Sequence, residues 1–421
     1  MNILFPEKIR RVIQTLVLCL AMLPVAGCWD RRELNDVLLV VGAGLDRKKD
    51  EIELSVQFVL PRATGGGQQS LREGGGGGGG LTGTTLVKSA TGVTIADAMA
   101  RLQKKFSRRI FWGHMKVLVI GEDLARQGID HYLDFMARHP ESRLRTFLFV
   151  SRGKARDILD VFQPLESYSA EQARELAKLG VGMKATAKDL LQMLRGEAGA
   201  AALPVLKISP AKVGDESDQQ PTVTLDGTAI FKKDKLVGII GDEETRGVLW
   251  IRNEIKRAIV TIEPKEADGR VALEMIHFRT ELIPEIDNQK WTITVKAVAE
   301  DDVAENTTVL NVMDEDVIKL LEKEAEQDLA DRIRKALQRV QQEMKVDVLG
   351  FAAAFNRKYP KEWEAVKDRW DEVFSSVQAQ VQTKVYIRRP GTSSVPPTAP
   401  KKEVEKKEQE MKQKKKEGEQ K

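Results

Sequence analysis

The chain has 421 residues, 42% of them apolar and 31% charged, with a formal net charge of only +4. That length implies two or three domains of about 100–200 residues each, with apolar content sufficient for real cores. Scattered, nearly cancelling charge and an aromatic share of 5% argue against a nucleic-acid partner, which needs a basic stripe or a base-stacking platform.

Lys8, Arg10 and Arg11 precede an apolar run over 12–25 that only Gln14 and Thr15 interrupt. The run is shorter than the roughly 20 residues that span a bilayer. Positive residues, a short apolar core and small residues in that order mark a secretory signal. Val25, Ala26, Gly27 and Cys28 then fit a bacterial lipobox, which predicts cleavage after Gly27 and diacylglyceryl transfer to the Cys28 thiol. Each buried methylene contributes about 0.8 kcal/mol, so two chains anchor stably where one binds marginally. The alternatives are a soluble secreted protein and an uncleaved signal anchor. Cys19 departs with the leader (1–27), so no disulfide is expected in the mature chain.

An N-terminal α/β-type domain is expected over 28–203. A strand at 37–44 and alternating apolar residues Ile52, Leu54, Val56, Phe58 and Leu60 suggest a hairpin. The stretch 64–83, with consecutive glycines at 74–80, reads as a flexible insert; no Gly-Lys-Ser/Thr follows to make it a phosphate loop. Thr94 with Asp97 forms a capping box for a helix reaching 106. A strand is expected at 110–120, a helix at 123–138 stopped by Pro140, and a strand at 143–151. Helices follow at 154–162, 170–179 and 187–194, the last capped by Thr186 and Asp189.

Gly, Ala and Pro enter near 196–221, and a linker is placed at 204–221. A C-terminal α+β domain then runs over 222–389, divisible at 262 into 222–262 and 263–389. Its strands at 223–231, 236–240, 258–262, 271–278 and 291–298 look antiparallel, because several connecting turns are short. Val317, Leu320, Leu321, Ala325, Leu329, Ile333, Leu337, Val340 and Met344 line one face of a long amphipathic helix. Asp328–Arg332 and Asp331–Lys335 are spaced for i,i+4 pairs on the other face. Phe351, Phe355, Trp363 and Trp370 follow on short helices, and a strand at 381–387 returns to the sheet. The Lys/Glu-rich tail, 390–421, is expected to be disordered or a transient helix. The fold class is therefore α+β and multi-domain, with mixed or antiparallel sheets, packed helices and one long amphipathic helix in the C-terminal domain.

No catalytic constellation is apparent. His114, His131, His139 and His277 stand in no metal-ligand spacing, and no unacylated cysteine remains in the mature chain. There is no G-x-S-x-G elbow, and Gly42-Ala43-Gly44 lacks the third glycine of a dinucleotide site. No enzyme activity, metal or cofactor is expected. Two clusters suit protein contact, since Arg and Trp anchor interfaces. One is Trp29, Asp30, Arg31 and Glu33 after the lipobox; the other is Arg108, Arg109, Trp112 and His114. The plain alternatives are a solvated tether for the first and strand-entry packing for the second.

Four segments carry a family resemblance: "GCWDRRELND", "SRRIFWGHMKVLVIGEDLARQGI", "LDGTAIFKKDKLVGIIGDEETRGVLW" and "KYPKEWEAVKDRWDEVF" with "VYIRRPG". Through them the chain resembles the Ger(x)C family, the lipoprotein C subunits of spore nutrient germinant receptors, from the signal to about Arg389. The insert at 64–83 and the tail after Gly391 look longer than the family pattern. The resemblance implies a mixed α+β fold without enzymatic activity and a place on the outer face of the inner spore membrane of a spore former. It implies integral membrane A and B subunits as partners, in a complex that starts germination. Whether the chain touches a nutrient directly stays open. A solute-binding lipoprotein serving a transporter is the alternative function.

Overall fold

The computed structural model describes residues 11, 12, 15, 37–59, 85–139, 141, 143–161, 166, 168–210, 221–389, 394–396 and 400–419. Cys28, Trp29, Asp30, Arg31 and Glu33, the glycine-rich insert and most of the expected linker lie outside these residues.

The first sheet contains β1 (Val37–Lys48), β2 (Glu51–Val59), β3 (Thr85–Gly92), β4 (Arg109–Phe111), β5 (Val117–Gly121), β6 (Phe147–Ser151), β7 (Ala200–Ser209), β8 (Thr222–Lys232) and β9 (Lys235–Ile240). Its order is β3-β2-β1-β5-β6-β7-β8-β9, with β4 beside the start of β1. β1, β5, β6 and β7 run parallel, and antiparallel strands close both ends. Parallel strands need both faces covered, and the side chains alternate accordingly. Leu118 and Ile120 face α1 (Ile95–Gln103), α2 (Glu122–Gln127), α3 (Asp130–Arg138) and α6 (Ala187–Arg195). Val117 and Val119 face α4 (Ala155–Asp160) and α5 (Ser169–Leu179). Thr94 and Thr186 cap α1 and α6 as their sequence spacing indicates.

Buried polar groups pin the α4–α5 layer. The Asp46 carboxylate accepts the Ala155 and Arg156 N–H groups at 2.7 and 2.9 Å. Gln57 donates to the Leu159 carbonyl at 2.9 Å and accepts from the Ala170 N–H at 3.2 Å.

Several expected boundaries shift. The strand expected at 110–120 is two strands, separated by a turn in which the Met115 N–H donates to the Trp112 carbonyl. The helix expected at 123–138 breaks at Gly128, whose φ of 138° ends α2. The first sheet runs through part of the expected linker and past the expected domain start at 222. Residues 204–209 complete β7, and β8 and β9 pair into the first sheet, not a second domain. Pro204 sits at an irregularity in the β7–β8 register, where a missing donor is tolerated, so a Pro that read as a breaker lies inside a strand.

The second sheet is β10 (Ile259–Ile262), β11 (Val271–Asp287), β12 (Lys290–Asn306) and β13 (Gln378–Arg389), in that order. β11 and β12 are longer than their apolar cores suggested, and turn on Asn288 and Gln289, both at positive φ. The antiparallel expectation holds for β10–β12, whereas β13 pairs parallel to β12. The connection between them carries α8 (Glu315–Leu337), a π-helical extension (Gln338–Met344), α9 (Phe351–Lys358), α10 (Pro360–Glu364) and α11 (Trp370–Ser376). These cover one face of the sheet, with Leu321, Ala325, Leu329 and Ile333 meeting Leu273, Val295 and Ala297.

β13 is an edge strand, and α8 covers its free side. The Ile387 N–H donates to Glu322 at 3.0 Å and the Val385 N–H to Glu326 at 3.4 Å. Unpaired strand edges otherwise recruit other chains.

α7 (Asp242–Ile251) joins the two sheets: its Val248 and Trp250 share one core with Ala202 and Ile230 of the first sheet and with α8. The Thr245 hydroxyl donates to Thr228 of β8 at 2.9 Å, and Lys335 of α8 pairs with Glu243 at 2.5 Å. The expected Asp331–Lys335 pair is replaced by Asp331–Arg334, while Asp328–Arg332 forms as expected.

Of the two states expected for the tail, the structure has the helix. Lys401–Glu419 form a helix, α12. Met411 packs against the second core, and the Asn311 side chain donates to Glu408 at 3.0 Å. One apolar residue in a charged tail finds buried surface there, which composition alone does not reveal.

Candidate functional site

The described contact candidates gather where the chain enters the fold. β4 runs parallel to the first residues of β1, with Val37 opposite Arg109 and Leu39 opposite Phe111. The Gln103 side chain locks the end of α1 to this strand: it donates to the Arg108 carbonyl at 2.9 Å and accepts from the Ile110 N–H at 2.9 Å. Arg108 and Arg109 point their charge to solvent.

Glu141 organises the next layer. One of its carboxylate oxygens lies 3.7 Å from the Arg109 guanidinium, and the other accepts the Trp112 backbone N–H at 3.0 Å. The Trp112 ring packs against the first sheet's core, so the strand-entry reading holds for this residue. At Gly113 a Cβ would stand 2.6 Å from the Phe111 ring, so a larger residue here would displace that ring. His114 follows in the same turn, half-buried. Desolvation first, then the Lys116 and Arg143 charges, hold its imidazole below the usual range and favour the neutral ring. The structure thus brings Arg109 and Trp112 onto one carboxylate and leaves Arg108 and His114 on the surrounding rim.

Sequence reasoning missed Glu141, which is 29 residues from Trp112. Its only local signal is an acidic residue placed just after Pro140, where α3 must end.

The deeply buried carboxylates have structural surroundings. Asp46 receives the start of α4. Asp347 accepts the N–H groups of Leu349, Gly350 and Phe351 on one oxygen and that of Ala352 on the other. Asp301 lies within β12 under α8, beside Asp302. Among the described residues no three His, Cys, Asp or Glu side chains gather as a metal site would require. No helix of the described residues is long and apolar enough to cross a membrane.

Fold and rim together define a two-sheet α+β body whose candidate functional groups suit surface contact. Comparison with known proteins agrees with this fold. Residues 30–208 match the family described as spore germination protein N-terminal domain, and residues 226–391 match spore germination B3/GerAC like, C-terminal. A putative spore germination protein of Bacillus subtilis, YfkR, is 30% identical over 91% of this chain and 97% of its own length. Spore germination protein KC of the same organism is 28% identical, over 92% of this chain and 98% of its own. The crystal structure of the GerBC protein superposes with a TM-score of 0.51, covering 82% of this chain and 96% of that one at 20% identity; this likeness concerns the fold alone. The chain belongs to the Ger(x)C family of spore germination proteins. Its role lies in spore germination.

Proposed function

We propose that the chain is the lipid-anchored C subunit of a nutrient germinant receptor. It acts without catalysis, through contacts with integral membrane A and B subunits at the outer face of the inner spore membrane. The observation that carries this reading is the pairing of Val37 with Arg109. Eight residues lie between Cys28 and Val37, so nine Cα–Cα steps join them. At about 3.3–3.6 Å per residue they reach at most ~30 Å. Acyl chains on Cys28 therefore hold the β1–β4 end near the membrane, and with it the Arg108, Arg109 and His114 rim that Trp112 braces from the core side. Partners embedded in that membrane meet this end first. The neighbouring cluster of Trp29, Asp30, Arg31 and Glu33 belongs to the same tether and extends the contact surface.

The test combines anchoring and contact in spores relying on this receptor alone. Cys28→Ala is expected to release the protein from spore membranes and abolish the nutrient response. Arg108→Glu with Arg109→Glu is expected to leave it membrane-bound, slow germination, and remove cross-links from position 108 to the integral subunits. A Cys28→Ala protein retained on membranes, or a charge-reversed rim germinating normally, overturns the reading.

A further inference from the structure

A cleft of about 570 Å³ opens between the two sheet units, away from the β1–β4 rim. One wall is the α5–α6 connection with Gly180, Gly182 and Lys184; the other is the chain leaving α7, from Arg252 to Lys256. Ligand sites of small molecules have this size, about 300–1,000 Å³, and favour domain junctions.

Its floor is apolar, formed by Met193, Leu249 and Ile255. Its charges do not balance. Both carboxylates lining it are engaged: Asp189 accepts the Thr186 N–H and hydroxyl at 2.8 and 2.7 Å, and Glu254 accepts from Arg252 at 2.8 Å. The lining lysines Lys184 and Lys256 have no carboxylate partner among the described residues; Lys184 stands 5.5 Å over the Phe147 ring. Arg252 uses its terminal nitrogens on the Val348 carbonyl and Glu254, while its buried Nε–H has no acceptor. A buried donor without a partner is costly and calls for an acceptor.

We infer that this cleft binds a small apolar monocarboxylate, its hydrocarbon on Met193, Leu249 and Ile255 and its carboxylate among Lys184, Lys256 and Arg252. A zwitterion fits less well, because the lining carboxylates are already engaged and none is left for an ammonium group. The inference goes beyond the proposed anchoring and contacts and does not depend on them. A bound ligand would touch both sheet units at once.

Calorimetric titration of the full-length protein in nonionic detergent, with naphthalene-1-carboxylate as probe and ligand-into-micelle blanks, tests this. Saturable one-site binding is expected. The uncharged naphthalene-1-carboxamide and the zwitterion leucine should each bind at least about tenfold more weakly, as loss of a charge-assisted hydrogen bond implies. Lys184→Gln with Lys256→Gln should weaken the carboxylate by a similar factor at unchanged melting temperature, whereas Lys188→Gln, an exposed lysine on α6, should not. Absence of saturable binding, equal affinity for carboxamide or leucine, or indifference to the double substitution overturns the inference. So does binding of an acidic peptide with none of the probe, which would make the cleft a protein groove.

Discussion

The indole N–H of Trp370 donates to the buried carboxylate of Asp347 at 3.0 Å. Asp347 thereby holds two elements at once, since its oxygens also accept the N–H groups that open α9. Around this bond Trp370 meets Trp363, Phe355 and Trp291 edge-on or tilted, with centroids 4.9, 5.8 and 5.9 Å apart. Burying such rings supplies much of the second core's stability.

Asp347→Ala should therefore orphan several buried donors together. At about 1–3 kcal/mol for each buried donor left unpaired, the expected loss of unfolding free energy is about 3 kcal/mol or more. Trp370→Phe keeps most of the packing and should cost about 1–2 kcal/mol. Urea titration followed by tryptophan fluorescence measures both, and equal effects would show that ring packing rather than the hydrogen bond dominates.

Asp301 gives the second sheet a pH dependence. Burial first, and the Asp302 charge second, push its carboxyl up to about 6; one of its oxygens is buried without a hydrogen-bond partner. A folded-state value above the unfolded one means the native state holds the proton longer. This contribution is full below the unfolded value near 3.8 and is lost as pH rises through about 6. At about 1.36 kcal/mol per unit, the span amounts to ~3 kcal/mol. Asp301→Asn should flatten stability between these pH values and raise it at pH 7.5, read from urea midpoints at pH 4.5 and 7.5.

Gly247 marks the tightest crossing between α7 and α8. A Cβ there would lie 2.5 Å from the Ala336 Cβ and 2.6 Å from the Arg332 carbonyl oxygen. Gly247→Val should force the helices apart at a cost of about 3 kcal/mol or more. Gly153→Val, where no neighbour lies within 4 Å, serves as the control for backbone strain alone, since its φ is +75°. A thermal melt showing Gly153→Val as the more harmful would contradict the packing account.

The edge of β13 offers a solution test. Glu322→Ala removes the acceptor of the Ile387 N–H. The direct cost should be about 1–2 kcal/mol. The larger consequence is an open strand edge, so sedimentation should show concentration-dependent association that the parent protein lacks.

Much of the architecture was legible because apolar spacing is local. The α8 stripe from Val317 to Leu337 is recoverable from one window, as are the Thr94 and Thr186 caps. What escaped depends on distant partners. Nothing near Gly128 says that the following Ile129 N–H will donate to Asp234, 105 positions on by numbering, and so split the helix. Pro204 and the alanines before it resemble a linker because their burial comes from β6 and β8. The parallel placement of β13 is invisible in short turns, since its crossover is long. At the rim, Arg109 and Trp112 stand out by residue type, yet Glu141, which joins them, does not.

That crossover also fixes the order in which the molecule can assemble. β12 ends at Asn306 and its neighbour β13 begins only at Gln378. As the ribosome delivers the chain from its amino terminus, the first sheet has all its strands once Ile240 has emerged, whereas the second waits for nearly the whole of translation. A nascent chain halted between Asn306 and Gln378 carries an uncovered β12 edge, the kind of unpaired strand that recruits other chains.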